Sequence, residues 1–134
     1  MIDIENELYT EIANALRAEF PGIYVTQDYV NAPSRFPAAY ISEMDNSVNR
    51  AGMDSGDVEN FSDVMFQADI YSNKNRGGKA ECKAIAAIID AHFAARNFRR
   101  TYLNPTPNMD DGTIYRMTGR WVATVGKDKT VYRR

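Results

Sequence analysis

One cysteine, one histidine and one tryptophan occur in 134 residues, and these scarcities remove whole classes of chemistry. A lone Cys82 cannot close an intrachain disulfide, so the fold rests on its own core, and a reducing, intracellular assembly compartment fits. With His92 and Cys82 alone, a zinc site lacks its usual ligands. A Ser-His-Asp or Cys-His set would have to use His92, whose neighbours Ala91, Phe93 and Ala94 are apolar and suggest a structural imidazole. Cys82 falls on an apolar helical stripe and reads as packing. No apolar run approaches the roughly 18 residues of a membrane span. The opening "MIDIENELYTEI" is acidic and amphipathic, unlike a signal peptide.

Phosphate and calcium loops are also incomplete. Gly78-Lys79 matches the centre of a P-loop, but Asn73 stands at its first glycine and Ala80 at its magnesium-binding hydroxyl. Gly77-Gly78 reads more simply as a strand-to-helix turn needing positive φ. Asp45, Ser47 and Asn49 resemble the start of an EF-hand, yet Arg50 takes its glycine position and Gly56 its closing glutamate. Carboxylates are plentiful, but one sequence places no two of them together for acid–base work. The expectation is a protein with no catalytic residue, no cofactor and no metal.

What is present is ordinary globular material. Hydrophobic residues make up 44% and charged residues 25%, which suits one domain over residues 1–134 with a core of its own. Ile4, Leu8, Ile12 and Leu16 recur at helical spacing behind acidic Asp3, Glu5 and Glu7, and Pro21-Gly22 stops that helix. Short strands are expected at 23–26 and 38–44. Residues 45–60 are polar and read as a long exposed loop. Residues 61–72, "FSDVMFQADIYS", alternate strictly, with Val64, Phe66, Ala68 and Ile70 opposite Asp63, Gln67 and Asp69. A helix over about 79–96 buries Cys82, Ile85, Ala86, Ile89 and Phe93. Strands at 98–104 and 113–125 follow, then a basic C-terminal tail at 126–134. The order α-β-β-β-α-β-β predicts an α+β fold. Two helices would pack on an antiparallel or mixed sheet of four to five strands.

The net charge of −2 hides an asymmetry. Residues 1–95 carry a net of −8 and residues 96–134 a net of +6. Arg99 and Arg100 lie near Phe98 and Tyr102, and Arg133 and Arg134 end the chain. Basic residues among aromatics can hold single-stranded nucleic acid. A pI of about 5.4 argues instead for a protein interface. The candidate subunit or partner contacts are Arg50, Asp54, Asp57 and Glu59 in the loop, with Arg99, Arg100, Arg133 and Arg134.

Several strings in order resemble a phage family. They are "IENELYTEIANALRAEFPGIYV", "SRFPAAYISEMD", "VMFQADIYSNKNRGGKAECKAIAAIIDAHF", "NFRRTYLNPTPNMDD" and "TIYRMTGRWVATV". Together they are similar to the tail-terminator, or tail-completion, proteins of long-tailed bacteriophages and prophages, along nearly the whole chain. The resemblance implies a non-enzymatic virion protein of the head–tail neck, assembled in the host cytoplasm. It implies a homo-oligomeric ring, usually a hexamer, that caps the tail tube and meets the tail-tube and head-completion proteins. DNA would pass through the ring without sequence-specific binding. Head-completion and minor capsid proteins are of similar size and are the alternative within the neck. The alternative from another class is a small enzyme or ligand-binding α+β domain.

Overall fold

The computed structural model describes residues 1–28, 33–52, 59–107 and 112–134. The elements are α1 (Glu5–Glu19), β1 (Tyr24–Thr26), β2 (Ala38–Val48), a 3-10 turn (Arg50–Gly52), β3 (Phe61–Ser72), α2 (Gly78–Ala95), β4 (Arg99–Pro105), β5 (Tyr115–Gly126) and β6 (Val131–Arg133). The fold is α+β with the expected α-β-β-β-α-β-β order, followed by a sixth strand. β1 pairs with β2 in parallel and every other pairing is antiparallel.

The sheet runs β1-β2-β3-β5-β4, and β6 also pairs with β5. β3 occupies one whole edge of β5, from Phe61 opposite Gly126 to Ser72 opposite Tyr115. β4 and β6 therefore share the other edge end to end, β4 along 117–122 and β6 along 123–125. The basic tail thus neither hangs free nor lengthens β5. It turns at Lys129, which takes a left-handed φ of 67°, and folds back as β6.

One further expectation is corrected. The loop expected from Asp45 begins later, because residues 45–48 are the last four of β2 and continue the ladder to Val48 opposite Ser62. A bulge between Glu43 and Asp45 inserts Met44 as an extra residue. It resets the alternation, so the periodicity breaks where the strand does not. Asp69 lies on the face away from the helices, as expected, but is only 2% exposed.

The helices cover one face. Leu8, Ile12 and Leu16 of α1 join Cys82, Ile85, Ile89 and Phe93 of α2 over Val64, Phe66, Ala68 and Ile70 of β3 and Trp121 of β5. Phe93 stacks on Trp121 at 4.8 Å between centroids, and Phe66 meets Phe98 edge-on at 5.6 Å. Each such buried side chain contributes about 1.5–3 kcal/mol through burial. The two glycines before α2 serve different ends. Gly77 takes a left-handed φ of 83°, whereas a Cβ on Gly78 would press on Cβ of Tyr115 at 3.3 Å.

The end of α2 is a Schellman cap. Phe98 N–H donates to the Phe93 carbonyl at 2.9 Å and Asn97 N–H to the Ala94 carbonyl at 3.1 Å, while Asn97 sits at φ 66°. The accompanying apolar contact is Phe98 against Phe93, 5.1 Å between rings. Asn97 also donates through Nδ2 to the Val131 carbonyl at 3.1 Å, tying the cap to β6. Asn97→Ala should cost about 1–2 kcal/mol, since a Cβ-bearing residue without a local hydrogen bond resists this conformation. Asn97→Gly should lose less. Urea unfolding of the two variants checks the order, and equal losses would place the effect in the Val131 bond alone.

The open face is polar and cross-linked. Asp69 Oδ1 accepts from Arg116 Nε and Nη2 at 3.2 and 3.0 Å and from Thr118 Oγ1 at 2.7 Å, while Gln67 Nε2 donates to Oδ2 at 3.0 Å. Arg120 donates to Gln67 at 3.0 Å and lies over the Tyr102 ring. A buried carboxylate persists because four donors meet it.

Candidate functional site

The β3–α2 loop is fastened by its own side chains. Glu81, in the first turn of α2, accepts from Ser72 Oγ at 2.7 Å and pairs with Lys74 Nζ at 3.1 Å. This helix start therefore already carries an anion where a P-loop would receive phosphate. His92 ties the helices together. Its Nδ1 lies 3.3 Å from Glu11 Oε2, and Arg96 holds the other oxygen at 3.0 Å. Burial pushes Glu11 upward, but Arg96 and His92 outweigh it and hold the carboxyl below its ordinary value. Burial pushes the Cys82 thiol up to about 12, which leaves it protonated and inert at neutral pH. Among the described residues, no three His, Cys, Asp or Glu are placed to share a metal ion. No helix there is long and apolar enough to cross a membrane.

The chemistry of the surface concentrates at the two ends of the sheet. At one end β4 and β6 bring together Arg99, Arg100, Arg133 and Arg134. Arg99 Nε donates to the Arg134 carbonyl at 2.7 Å, where the two strands meet. Arg100 pairs with Asp90 at 2.9 Å, and Asp90 also accepts from Trp121 Nε1 at 2.9 Å, so this edge is wired into the core. Arg133 donates weakly to the Ala94 carbonyl at 3.4 Å, and Arg134 lies 4.0 Å from Asp63.

At the other end β1 covers only Ala38–Tyr40 of β2. Residues 41–48 have no strand on their far side among the described residues. Glu43 and Asp45 stand on this edge, with Asp3 and Glu5 beside them. Glu5 Oε2 accepts from the Glu43 N–H at 2.6 Å. No Lys, Arg or His lies within 4.0 Å of these four carboxylates among the described residues. Burial pushes the Glu43 carboxyl above its usual range. The Asn46 amide opposes this, and the charges of Asp3, Glu5 and Asp45 add to it. Glu43 Oε2 is buried without a hydrogen-bond partner.

No protein-family model matches the chain, and no curated protein matches it significantly.

The loop candidates fare differently from the arginines. Arg50 is exposed in the 3-10 turn. Asp54 and Asp57 lie outside the described residues. Glu59 is half-buried and engaged within the fold, its Oε1 accepting from the Ile2 N–H at 2.9 Å and Ser62 Oγ at 3.1 Å. It anchors the chain start, which accounts for an acid at that position without a partner protein. The acidic edge of β2 is not legible in the sequence, because the alternation stops at Met44 while the strand continues to Val48. Its one visible signal was the pair Glu43 and Asp45 flanking an exposed methionine.

Proposed function

We propose that the chain is a structural protein of the neck of a long-tailed phage or prophage. As a tail terminator it caps the tail tube as a ring, of six copies in the family it resembles, and joins tail to head. The two unlike edges of one sheet support this reading most directly. A ring is built from heterologous contacts, in which one patch meets a different patch on the next copy. An edge with four acidic side chains that have no cation beside them among the described residues, and an opposite edge with four arginines, supply such patches. Complementary fields of this kind speed encounter and reject the like-charged orientation. DNA then passes through the centre without base recognition, and no catalytic group or cofactor takes part.

The test is tube capping. Tail-tube protein encoded in the same gene cluster is polymerised with and without this chain, and tube lengths are measured by electron microscopy. Added protein should arrest growth and appear as a ring at one tube end. Tubes of unchanged length with bare ends would overturn the reading, as would a saturable nucleotide or metal site of micromolar affinity.

A further inference from the structure

The strand pairings join the two free edges by rows that run straight across the sheet. In one row Asp45 of β2 lies opposite Met65, Met65 opposite Val122, and Val122 opposite Arg99 of β4. In the next, Glu43 lies opposite Phe66, Phe66 opposite Trp121, and Trp121 opposite Arg100. Each row starts at a carboxylate on one edge and ends at a guanidinium on the other. Partners in a row share a face of the sheet. Asp45 and Arg99 are therefore both on the open face, and Glu43 and Arg100 both on the helix-bearing face. β2 and β4 also run in opposite directions, because three antiparallel steps separate them.

We propose that copies of this chain dock edge to edge, β4 and β6 of one against β2 of the next, with Arg99 facing Asp45 of the neighbour and Arg100 facing its Glu43. This rests on the assembly reading and names its contact. Asp45 and Arg99 are exposed for it, whereas Glu43 is half-buried, with Oε2 enclosed and Oε1 accepting from Asn46, so docking has to draw this carboxylate outward to meet Arg100. Arg99 gives Nε to the Arg134 main-chain oxygen but has no Asp or Glu within 4.0 Å, and Asp45 and Glu43 have no Lys, Arg or His within 4.0 Å, among the described residues. Arg100 keeps further donors beyond the one it gives Asp90.

A second, independent observation marks the same edges. Among the described residues the exposed large hydrophobics are Met1, Met44, Val48 and Tyr132, the last three at 50%, 45% and 48%. Met44 and Val48 lie on the β2 edge. Tyr132 lies on β6, at the end of the row that begins at Ser47. Apolar side chains beside unlike charges are the composition of a protein interface.

The contact is made by side chains, not by a new ladder. The Glu43 N–H is already given to Glu5. Both edge strands are bulged, β2 between Glu43 and Asp45 and β4 between Arg100 and Tyr102, and Pro105 lacks a donor. These devices blunt an edge against backbone pairing. Charge and register then select the partner.

The test is a charge exchange on the full chain, with Asp45→Arg, Arg99→Glu and the double variant beside wild type. All four are checked by circular dichroism, then compared by sedimentation velocity at two salt concentrations and in the tube-capping assay. Both positions are exposed, so folding should hold. Each single reversal should weaken association about tenfold or more, since it sets like charges face to face. The double variant restores opposite charges in exchanged order and should return to within about threefold of wild type. Wild-type association should weaken with salt. Single variants that associate and cap as wild type does, or a double variant worse than either single, would overturn this contact and leave the ring reading standing. A wild type that neither associates nor caps tubes would overturn both.

Discussion

Phe66→Ala is expected to cost about 3–5 kcal/mol, the range for truncating a fully buried aromatic side chain. Phe66 is fully buried within the aromatic cluster, 5.5 Å from Phe93 and 5.6 Å from Phe98 between ring centroids. Its removal leaves a cavity that three large rings and two packed helices cannot easily fill. The neighbouring Gln67 is the control. It is half-buried on the other face and holds Asp69 and Arg120, so Gln67→Ala should cost about 1 kcal/mol, the worth of ordinary hydrogen bonds. Urea unfolding with an unchanged m-value measures both. A Gln67 loss equal to or larger than that of Phe66 would mean the β3 register is wrong.

Asp69→Ala should cost about 3 kcal/mol, because removing one member of a buried ion pair strands the other. Arg116 would lose the Oδ1 oxygen that accepts from both its Nε and its Nη2, and Thr118 its 2.7 Å bond to the same oxygen. The value sits at the low end because the Arg116 side chain retains 26% exposure and lies over the Tyr71 ring. A double-mutant cycle with Arg116→Ala should show coupling above about 1 kcal/mol. An Asp69→Ala variant within about 0.5 kcal/mol of wild type would show this face to be plainly solvated.

Much of the fold is legible along the chain where one face of an element is apolar and the other polar. β3 alternates in sequence over 61–72, and the strand has those same limits. The stripe of α2 repeats every three or four residues, and all five residues expected in it are buried. Local patterns fail where long-range partners decide. Asp69 looks like a solvent-facing acid until Arg116, 47 residues later, is laid beside it. Met44 ends the visible alternation but not the strand. β6 is three residues long and its turn uses Lys129 in place of the glycine that would announce it. The candidate site was half visible. The arginines stood out by composition, but that they share one edge, opposite the acids, depends on strand order, which no local pattern carries.

That order also constrains how the chain is made. β4 leaves the ribosome before β5 yet lies outside it, so β4 has nothing to pair with until residues 115–126 have emerged. Until then β3 presents a full unpaired edge, with Trp121 and Met117 missing beside Phe66 and Ile70. Strand-by-strand addition in chain order thus stops at β3. β5 must reach β3 before β4 or together with it, so the pairing that completes the sheet is a late, non-local step. Nascent chains cut short before Tyr115 should be sticky substrates for chaperones, and the full chain should acquire its core in a single late step.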